Sequence, residues 1–217
     1  MNEQFYEIPF DEILAQLTPD YQKYLALETR YILSRCVALD TVLEVGCGSG
    51  RLLEILSPKV KGVVGVDNSP IQIARAEART SCFPNINVYQ QDGRSLEFSR
   101  NYFDISCMTF NTLGSLGKDK AKVLENLCRV TKRAVLVGVY SEDATPYQLE
   151  FYTKVGFGEV MEINEDVTSV QNAEGITITS EKFTPDKIHH LLQEVGVSAD
   201  ILRISAFSYI IDIRVRG

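Results

Sequence analysis

The chain has 217 residues, 45% of them hydrophobic, and a formal net charge of −7 from 22 Lys and Arg against 29 Asp and Glu. Such a composition excludes disorder and suits one domain with an appendage at roughly 150 residues per domain, and the acidic balance is the wrong sign for a broad nucleic-acid face. No run approaches the ~18 apolar residues of a membrane span, and residues 1–10 carry Glu3 and Glu7 without the apolar stretch of a secretory signal, so the expected location is the cytoplasm.

Residues 1–40 read as helices ahead of the first strand. Thr18, Pro19 and Asp20 place a hydroxyl N-cap before a proline at the first helical position, opening a helix to about Cys36 with Tyr24 and Tyr31 on a core stripe. Near-continuous apolar runs follow at 41–45, 62–66, 86–89, 103–108 and 134–139, with helical stretches between them. That alternation predicts a parallel sheet covered on both faces. A short helix after Gly50 ends at Pro58. Ser69 and Pro70 open a helix to about Thr80, Asp119 caps one carrying Val123, Leu124, Leu127 and Val130, and Thr184 and Pro185 open one that stops at Gly196. Residues 155–160 and 176–179 predict an inserted hairpin or small sheet within 140–183, and 207–215 a last strand. The organisation is thus a cap or lid over 1–40 and a domain over 41–217 with an insert at about 140–183.

The cysteines, Cys36, Cys47, Cys82, Cys107 and Cys128, are odd in number and form no C-x-x-C pair; His189 and His190 are the only histidines. No metal site and no disulfide framework are expected, and the thiols read as buried and reduced.

The most informative segment is VLEVGCGSG, residues 42–50, a strand running through G-x-G-x-G into a helix. Glycines let the backbone turn sharply and approach a ligand closely. The dinucleotide fingerprint G-x-G-x-x-G/A requires a small residue where this chain has Arg51, and Glu44 before the turn is unsuited to a pyrophosphate. A cofactor carrying an amine and a sulfonium fits better than NAD.

These residues resemble motif I of the class I S-adenosyl-L-methionine (SAM) dependent methyltransferases, and further motifs follow in order: Asp67 after the second strand, Asn68-Ser69-Pro70, Gln91-Asp92-Gly93 after the third, and Phe103-Asp104 at the fourth. The resemblance covers roughly residues 41–139, and the last helix and strand fit it too. It implies a Rossmann-like, seven-stranded, mostly parallel α/β sheet with an antiparallel last strand and helices on both faces. It implies SAM as cofactor and S-adenosyl-L-homocysteine (SAH) as product. The cofactor residues it implies are Glu44, Gly46, Cys47, Gly48 and Gly50 of the turn, with Cys47 a small spacer. Asp67 would accept from the ribose hydroxyls with Asn68 beside it, and Gln91, Asp92 and Gly93 would meet the adenine, Asp92 accepting from its amine. Ile71 is either core or an adenine contact.

On the acceptor side, Asn111-Thr112-Leu113-Gly114 lacks the proline pair of nucleobase amino-methylating members and resembles the N-T/S-L-G stretch of some small-molecule members. Asn111 would then lie near the methionine part of the cofactor or the acceptor, unless it only caps its loop. Catalytic candidates are Asn111, Tyr140 and Tyr6, with Tyr6 and Phe10 as lid residues and Tyr147 and Tyr152 as further acceptor candidates; the histidines read as surface or structural residues. The acidic run at Glu159, Glu162, Glu165 and Asp166 is a solvated face or an amine-steering surface. The expected activity is methyl transfer to a small molecule at nitrogen or oxygen, by proximity, in a monomer or homodimer. The alternatives are a protein, peptide or RNA methyltransferase, or a SAM-binding module without catalysis.

Overall fold

The computed structural model describes residues 13–14 and 16–215. The strands are β1 (Thr41–Val45), β2 (Gly62–Asp67), β3 (Ile86–Gln90), β4 (Phe103–Met108), β5 (Thr131–Tyr140), β6 (Glu159–Ile163), β7 (Val167–Gln171), β8 (Thr177–Glu181), β9 (Ala199–Ser205) and β10 (Ser208–Arg214). The helices are α1 (Pro19–Arg35), α2 (Arg51–Leu56), α3 (Pro70–Thr80), α4 (Lys120–Val130), α5 (Thr145–Lys154) and α6 (Pro185–Val195).

Seven strands form the main sheet in the order β3-β2-β1-β4-β5-β10-β9. β1 to β5 run parallel, and β10 lies antiparallel to both β5 and β9. The expected mostly parallel sheet with an antiparallel last strand is therefore present. The chain works outward from β1 to β3 and then returns to β4, so the strand order reverses between β1 and β4. Ligands of open α/β sheets bind outside the carboxyl ends of the strands at such a reversal.

Each face is closed by helices whose apolar stripes match the sheet. α4 and α6 bury Val123, Leu124, Leu127, Ile188, Leu191 and Leu192 on one face. α2 and α3, with Ile32 of α1, bury Leu52, Leu53, Leu56 and Ile73 on the other. A third cluster joins α1, the end of β5 and the insert through Tyr21, Tyr24, Tyr140, Phe151, Tyr152 and Phe207.

The helix starts divide. Ser69 and Thr184 cap α3 and α6 as expected, accepting from the amides of Gln72 and Lys187 at 3.3 Å each. Thr18 does not cap α1: its amide and hydroxyl both donate to the Glu150 carboxylate of α5 at 3.0 Å. Asp119 does not cap α4 either, because Arg94 takes its carboxylate at 3.0 Å. In both, a partner distant in sequence outcompetes the local bond.

The insert adds a helix to the hairpin or small sheet that the sequence suggests. It holds α5 and a separate antiparallel sheet of order β6-β7-β8. The strand expected at 155–160 is corrected: Val155 ends α5, and β6 begins only at Glu159. β9, also unforeseen, is half-solvated and so lacks the apolar run of a buried strand. Cys82 is exposed, a departure from the buried-thiol reading, whereas Cys47 and Cys107 are buried.

Candidate functional site

A cavity of about 340 Å³ opens at the carboxyl ends of β1, β2, β4 and β5, where the strand order reverses. One end is the glycine turn. Gly46 has φ 74°, and a Cβ there would come within 2.7 Å of Thr112 Cγ2, so the turn excludes any side chain. The amides of Gly46 and Cys47 both donate to the carbonyl of Val66, at 2.8 and 3.1 Å, fastening the turn to β2. Gly48 donates to Asp67 Oδ2 at 2.9 Å. Gly50 does not line the cavity; it packs against Ala76 and Thr80 of α3.

Two buried carboxyls face this end. Glu44 Oε1 accepts from the Thr109 hydroxyl at 3.1 Å, and its Oε2 is buried with no partner in the described structure. Burial pushes the Glu44 carboxyl up to about 8, with the nearby Arg51 opposing the rise. Asp67, also raised by burial, is held by the amides of Ser69 and Gly48 at 2.9 Å each. Asn68, Gln91, Asp92 and Gly93 line the cavity next to it. Asp92 caps the short turn at Gly93–Ser95 and pairs with Arg94, which lowers its carboxyl below the usual range. Ile71 is 37% exposed and lies outside the cavity lining; the core side of α3 is carried by Gln72, Ile73, Ala76 and Thr80.

The other end is aromatic, walled by Phe110, Tyr140, Phe151, Tyr152 and Leu14, with Ser180 among them. Tyr140 hydrogen-bonds to Tyr21 of α1, hydroxyl to hydroxyl, and burial pushes both phenols up, so both stay protonated. Burial likewise pushes the Tyr152 phenol up to about 12. Tyr147 is not in the lining but stacks on Phe207 at 3.8 Å. His189 and His190 are exposed on α6, and Glu159, Glu162, Glu165 and Asp166 are exposed on the insert. Tyr6 and Phe10 lie outside the described residues.

Phe110 and Asn111 form the hinge between the two ends. Both sit at positive φ, 54° and 56°, which costs each non-glycine residue about 1–2 kcal/mol. The strain is held by side chains. Asn111 Nδ2 donates to Ser180 Oγ at 2.9 Å and to the carbonyl of Glu181 at 3.1 Å, while Oδ1 accepts from the amide of Tyr140 at 2.9 Å. The residue lines the cavity, but its amide is occupied in latching β5 and β8 to the loop. Glu28 of α1, fully buried, accepts from the Phe110 amide at 3.1 Å and from the Tyr24 hydroxyl at 2.9 Å.

Sequence reasoning missed Glu28, Thr109, Phe151 and Ser180, and it used Arg51 only to exclude a dinucleotide. Glu28 alone left a signal, a carboxylate at four-residue spacing between the buried Tyr24 and Ile32.

Residues 42–134 match the family model described as "Methyltransferase domain". A ubiquinone/menaquinone biosynthesis C-methyltransferase of Francisella philomiragia is 29% identical over 168 residues, which is 74% of this chain and 66% of that protein. The chain therefore spans just under two thirds of the length of that relative. A solved SAM-dependent methyltransferase from Clostridium acetobutylicum superposes with TM-score 0.70 at 17% identity, covering 96% of this chain and 98% of its own. A structure described as a DhpI–SAH complex gives TM-score 0.72 at 15% identity, covering 99% and 95%. The resemblance in the sequence is borne out: the fold is that of the class I methyltransferases, with the matched domain spanning the glycine turn and β1 to β4.

Proposed function

Starting from a chain that carries a class I SAM-dependent methyltransferase domain, we propose that it transfers the methyl group of SAM to a small-molecule acceptor at nitrogen or oxygen. The observation that carries this reading is one cavity with two chemically different ends, an acidic glycine turn and an uncharged aromatic wall.

The residues present fit the cofactor. The unpartnered Glu44 Oε2 suits the ammonium of a bound amino acid. The turn at Gly46 and Gly48 is a cradle that a Cβ would fill or strain. Asp67 is locked by two amides, and its remaining lone pairs suit ribose hydroxyls. Asn68, Gln91, Asp92 and Gly93 would flank the adenine, while Cys47 serves as a small spacer; Gly50 and Ile71 take no direct part in this reading.

When bound, SAM supplies a methyl group already activated by its sulfonium. The protein's share is alignment and exclusion of water. Asn111, through its three hydrogen bonds, holds the loop that separates donor from acceptor. Tyr140 and Tyr152 offer hydroxyls as neutral hydrogen-bonding groups that orient an acceptor, not as bases. No carboxylate, histidine or lysine is among the described side chains that wall the aromatic end, and the buried Glu28 behind it is held by the Phe110 amide and the Tyr24 hydroxyl, so the acceptor is one that needs no protein base, an amine or an acidic hydroxyl. α1 and the insert complete this wall, which is the role we assign to residues 1–40 and 140–183.

A second reading, methylation at carbon, draws on the curated relative, whose name describes a C-methyltransferase. No described helix is long and apolar enough to cross a membrane.

Calorimetric titration with SAM, SAH and NAD tests the cofactor: micromolar binding of the first two and none of NAD is expected, and no SAM binding at millimolar concentration refutes the proposal. A labelled-SAM screen against metabolite pools, with tRNA and peptide controls, then identifies the acceptor class. Label entering tRNA or peptide alone overturns the small-molecule assignment.

A further inference from the structure

Behind the aromatic end runs a buried chain of polar side chains in which each hydrogen can be followed. Thr168 and Ser180 stand opposite each other on β7 and β8, and both are buried. Gln148 of α5, fully buried, spans them: its Oε1 accepts from the Thr168 hydroxyl at 2.7 Å, and its Nε2 donates to Ser180 Oγ at 3.0 Å. Asn111 Nδ2 donates to the same Oγ at 2.9 Å. The direction of this last bond is forced, because Asn111 Oδ1 is taken by the backbone amide of Tyr140 and Nδ2 also meets the carbonyl of Glu181.

A hydroxyl has two lone pairs and one hydrogen. Both lone pairs of Ser180 are met by amide donors, so its hydrogen goes to its remaining partner, Tyr152. The Tyr152 oxygen therefore accepts, and its own hydrogen has no acceptor among the described residues. Tyr152 and Ser180 both line the aromatic end of the cavity. A protonated phenol with its oxygen engaged and its hydrogen free donates and does nothing else. Tyr140 differs, because either hydroxyl of its bond to Tyr21 can be the donor.

A donor of fixed direction selects among ligands. An ammonium has hydrogens and no lone pair, so at Tyr152 it sets donor against donor, although aromatic faces alone would favour it. A carboxylate or phosphate would accept, but no cation is among the described side chains that wall this end, and burying an unpaired charge is costly. An uncharged oxygen on a flat apolar body meets both conditions, since its ring can pack against Phe110 and Phe151. That oxygen is a handle and not the nucleophile, because a hydrogen bond to the attacking lone pair holds back its reaction.

We propose that Tyr152, oriented by Ser180, is a one-way hydrogen-bond donor to the methyl acceptor, and that the acceptor is an uncharged ring compound carrying a carbonyl or ether oxygen apart from its nucleophile. This rests on the small-molecule reading above and narrows it to molecules recognised through a lone pair. Gln148, Thr168 and Asn111 then act as positioning residues, since together they set the direction of the Ser180 hydroxyl.

The test titrates acetophenone, toluene and benzylammonium into the full chain with SAH present, followed by ligand-observed NMR. The probes share one ring and carry, in turn, a lone-pair oxygen, no polar group and a donor-only cation. Wild type is expected to bind acetophenone about tenfold more tightly than benzylammonium, the size of one buried hydrogen bond. Tyr152→Phe is expected to weaken acetophenone by about tenfold and to leave toluene within about twofold. Ser180→Ala removes the hydrogen that enters the Tyr152 oxygen and lets that hydroxyl turn. It is expected to cut the preference for acetophenone over benzylammonium to about threefold or less, which a loss of packing alone would not do. SAH titration certifies that each variant is folded, and where Ser180→Ala fails to bind SAH, Tyr152→Phe decides alone. A wild type that prefers benzylammonium, or binds none of the probes, overturns the proposal. So does a Tyr152→Phe that weakens acetophenone and toluene equally or weakens neither, and so does a folded Ser180→Ala that keeps the full preference. Any of these failures with SAH still bound leaves the SAM reading standing, whereas a wild type that binds no SAH removes that reading and this inference with it.

Discussion

Glu28 and Phe110 are 82 residues apart in the chain and are joined by a hydrogen bond of 3.1 Å, from the strained amide of Phe110 to the buried carboxyl of Glu28. The bond exists because β5 makes room for it. A Cβ on Gly138 would lie 1.8 Å from Glu28 Oε1.

The first prediction concerns this packing. Gly138→Ala is expected to destabilise the protein by about 2–3 kcal/mol, because backbone and carboxylate have to separate. In a Glu28→Ala background the same substitution is expected to cost less than 1 kcal/mol, since the opposing atoms are gone. Denaturant unfolding of the four proteins of the cycle measures both; additive effects refute the contact as the cause.

On the proposed reading, Glu44 is expected to make cofactor binding depend on pH. Its carboxyl is neutral in the free protein below about 8, and pairing with an ammonium requires the ionised form. Between pH 6 and 8 each rise of one unit is therefore expected to tighten SAM up to tenfold, with a proton released on binding, and the gain to level off above 8. Glu44→Gln should weaken SAM and remove this slope. Calorimetry in buffers of different ionisation heat counts the proton. The sign for stability is opposite: a folded-state value raised above the unfolded one favours the fold below about 4.5, and that contribution is lost as pH rises through about 8.

Asp67 holds the turn and, on the proposed reading, the ribose. Asp67→Ala should weaken SAM by about 1–3 kcal/mol and also lower stability, because the amides of Gly48 and Ser69 lose their acceptors. Asp67→Asn should retain part of both. Unchanged SAM affinity in the alanine variant places the ribose elsewhere.

Asn111 combines strain with a latch, and two substitutions separate them. Asn111→Ala and Asn111→Gly both lose the bonds to Ser180, Glu181 and Tyr140, but glycine tolerates φ 56° at no steric cost. Asn111→Gly is expected to be the more stable of the two by about 1 kcal/mol, the reverse of the usual ranking. Thermal unfolding decides; an alanine variant at least as stable as the glycine variant shows that φ strain is absent.

Much of the cofactor end was legible because its causes are local. A glycine turn between an apolar strand and a helix, an acid at the end of the next strand, and Ser69 ahead of Pro70 are each specified by neighbours within a few residues. Gly50 and Ile71 lie outside the cavity lining for a related reason: motif position marks the segment, and the direction in which each residue faces decides whether it meets the cavity. The acceptor end was scarcely legible. Phe151 belongs to a helix whose sequence has little amphipathic pattern, and Ser180 matters through Asn111, Gln148 and Tyr152.

The sequence by itself determined the alternation of strands and helices and the class of cofactor that the turn suits, with Arg51 and Glu44 departing from the dinucleotide fingerprint. Tertiary structure alone decided what those two residues meet. Whether Arg51 stands as a surface cation or near the buried carboxyls of Glu44 and Glu28 depends on α1 folding back over the sheet. Whether Glu28 is solvated or buried depends on the missing Cβ of Gly138. Hydrogen bonds and turns act over a few residues and leave a pattern in the chain, whereas burial is set by elements many residues apart that share a space only once the core has formed.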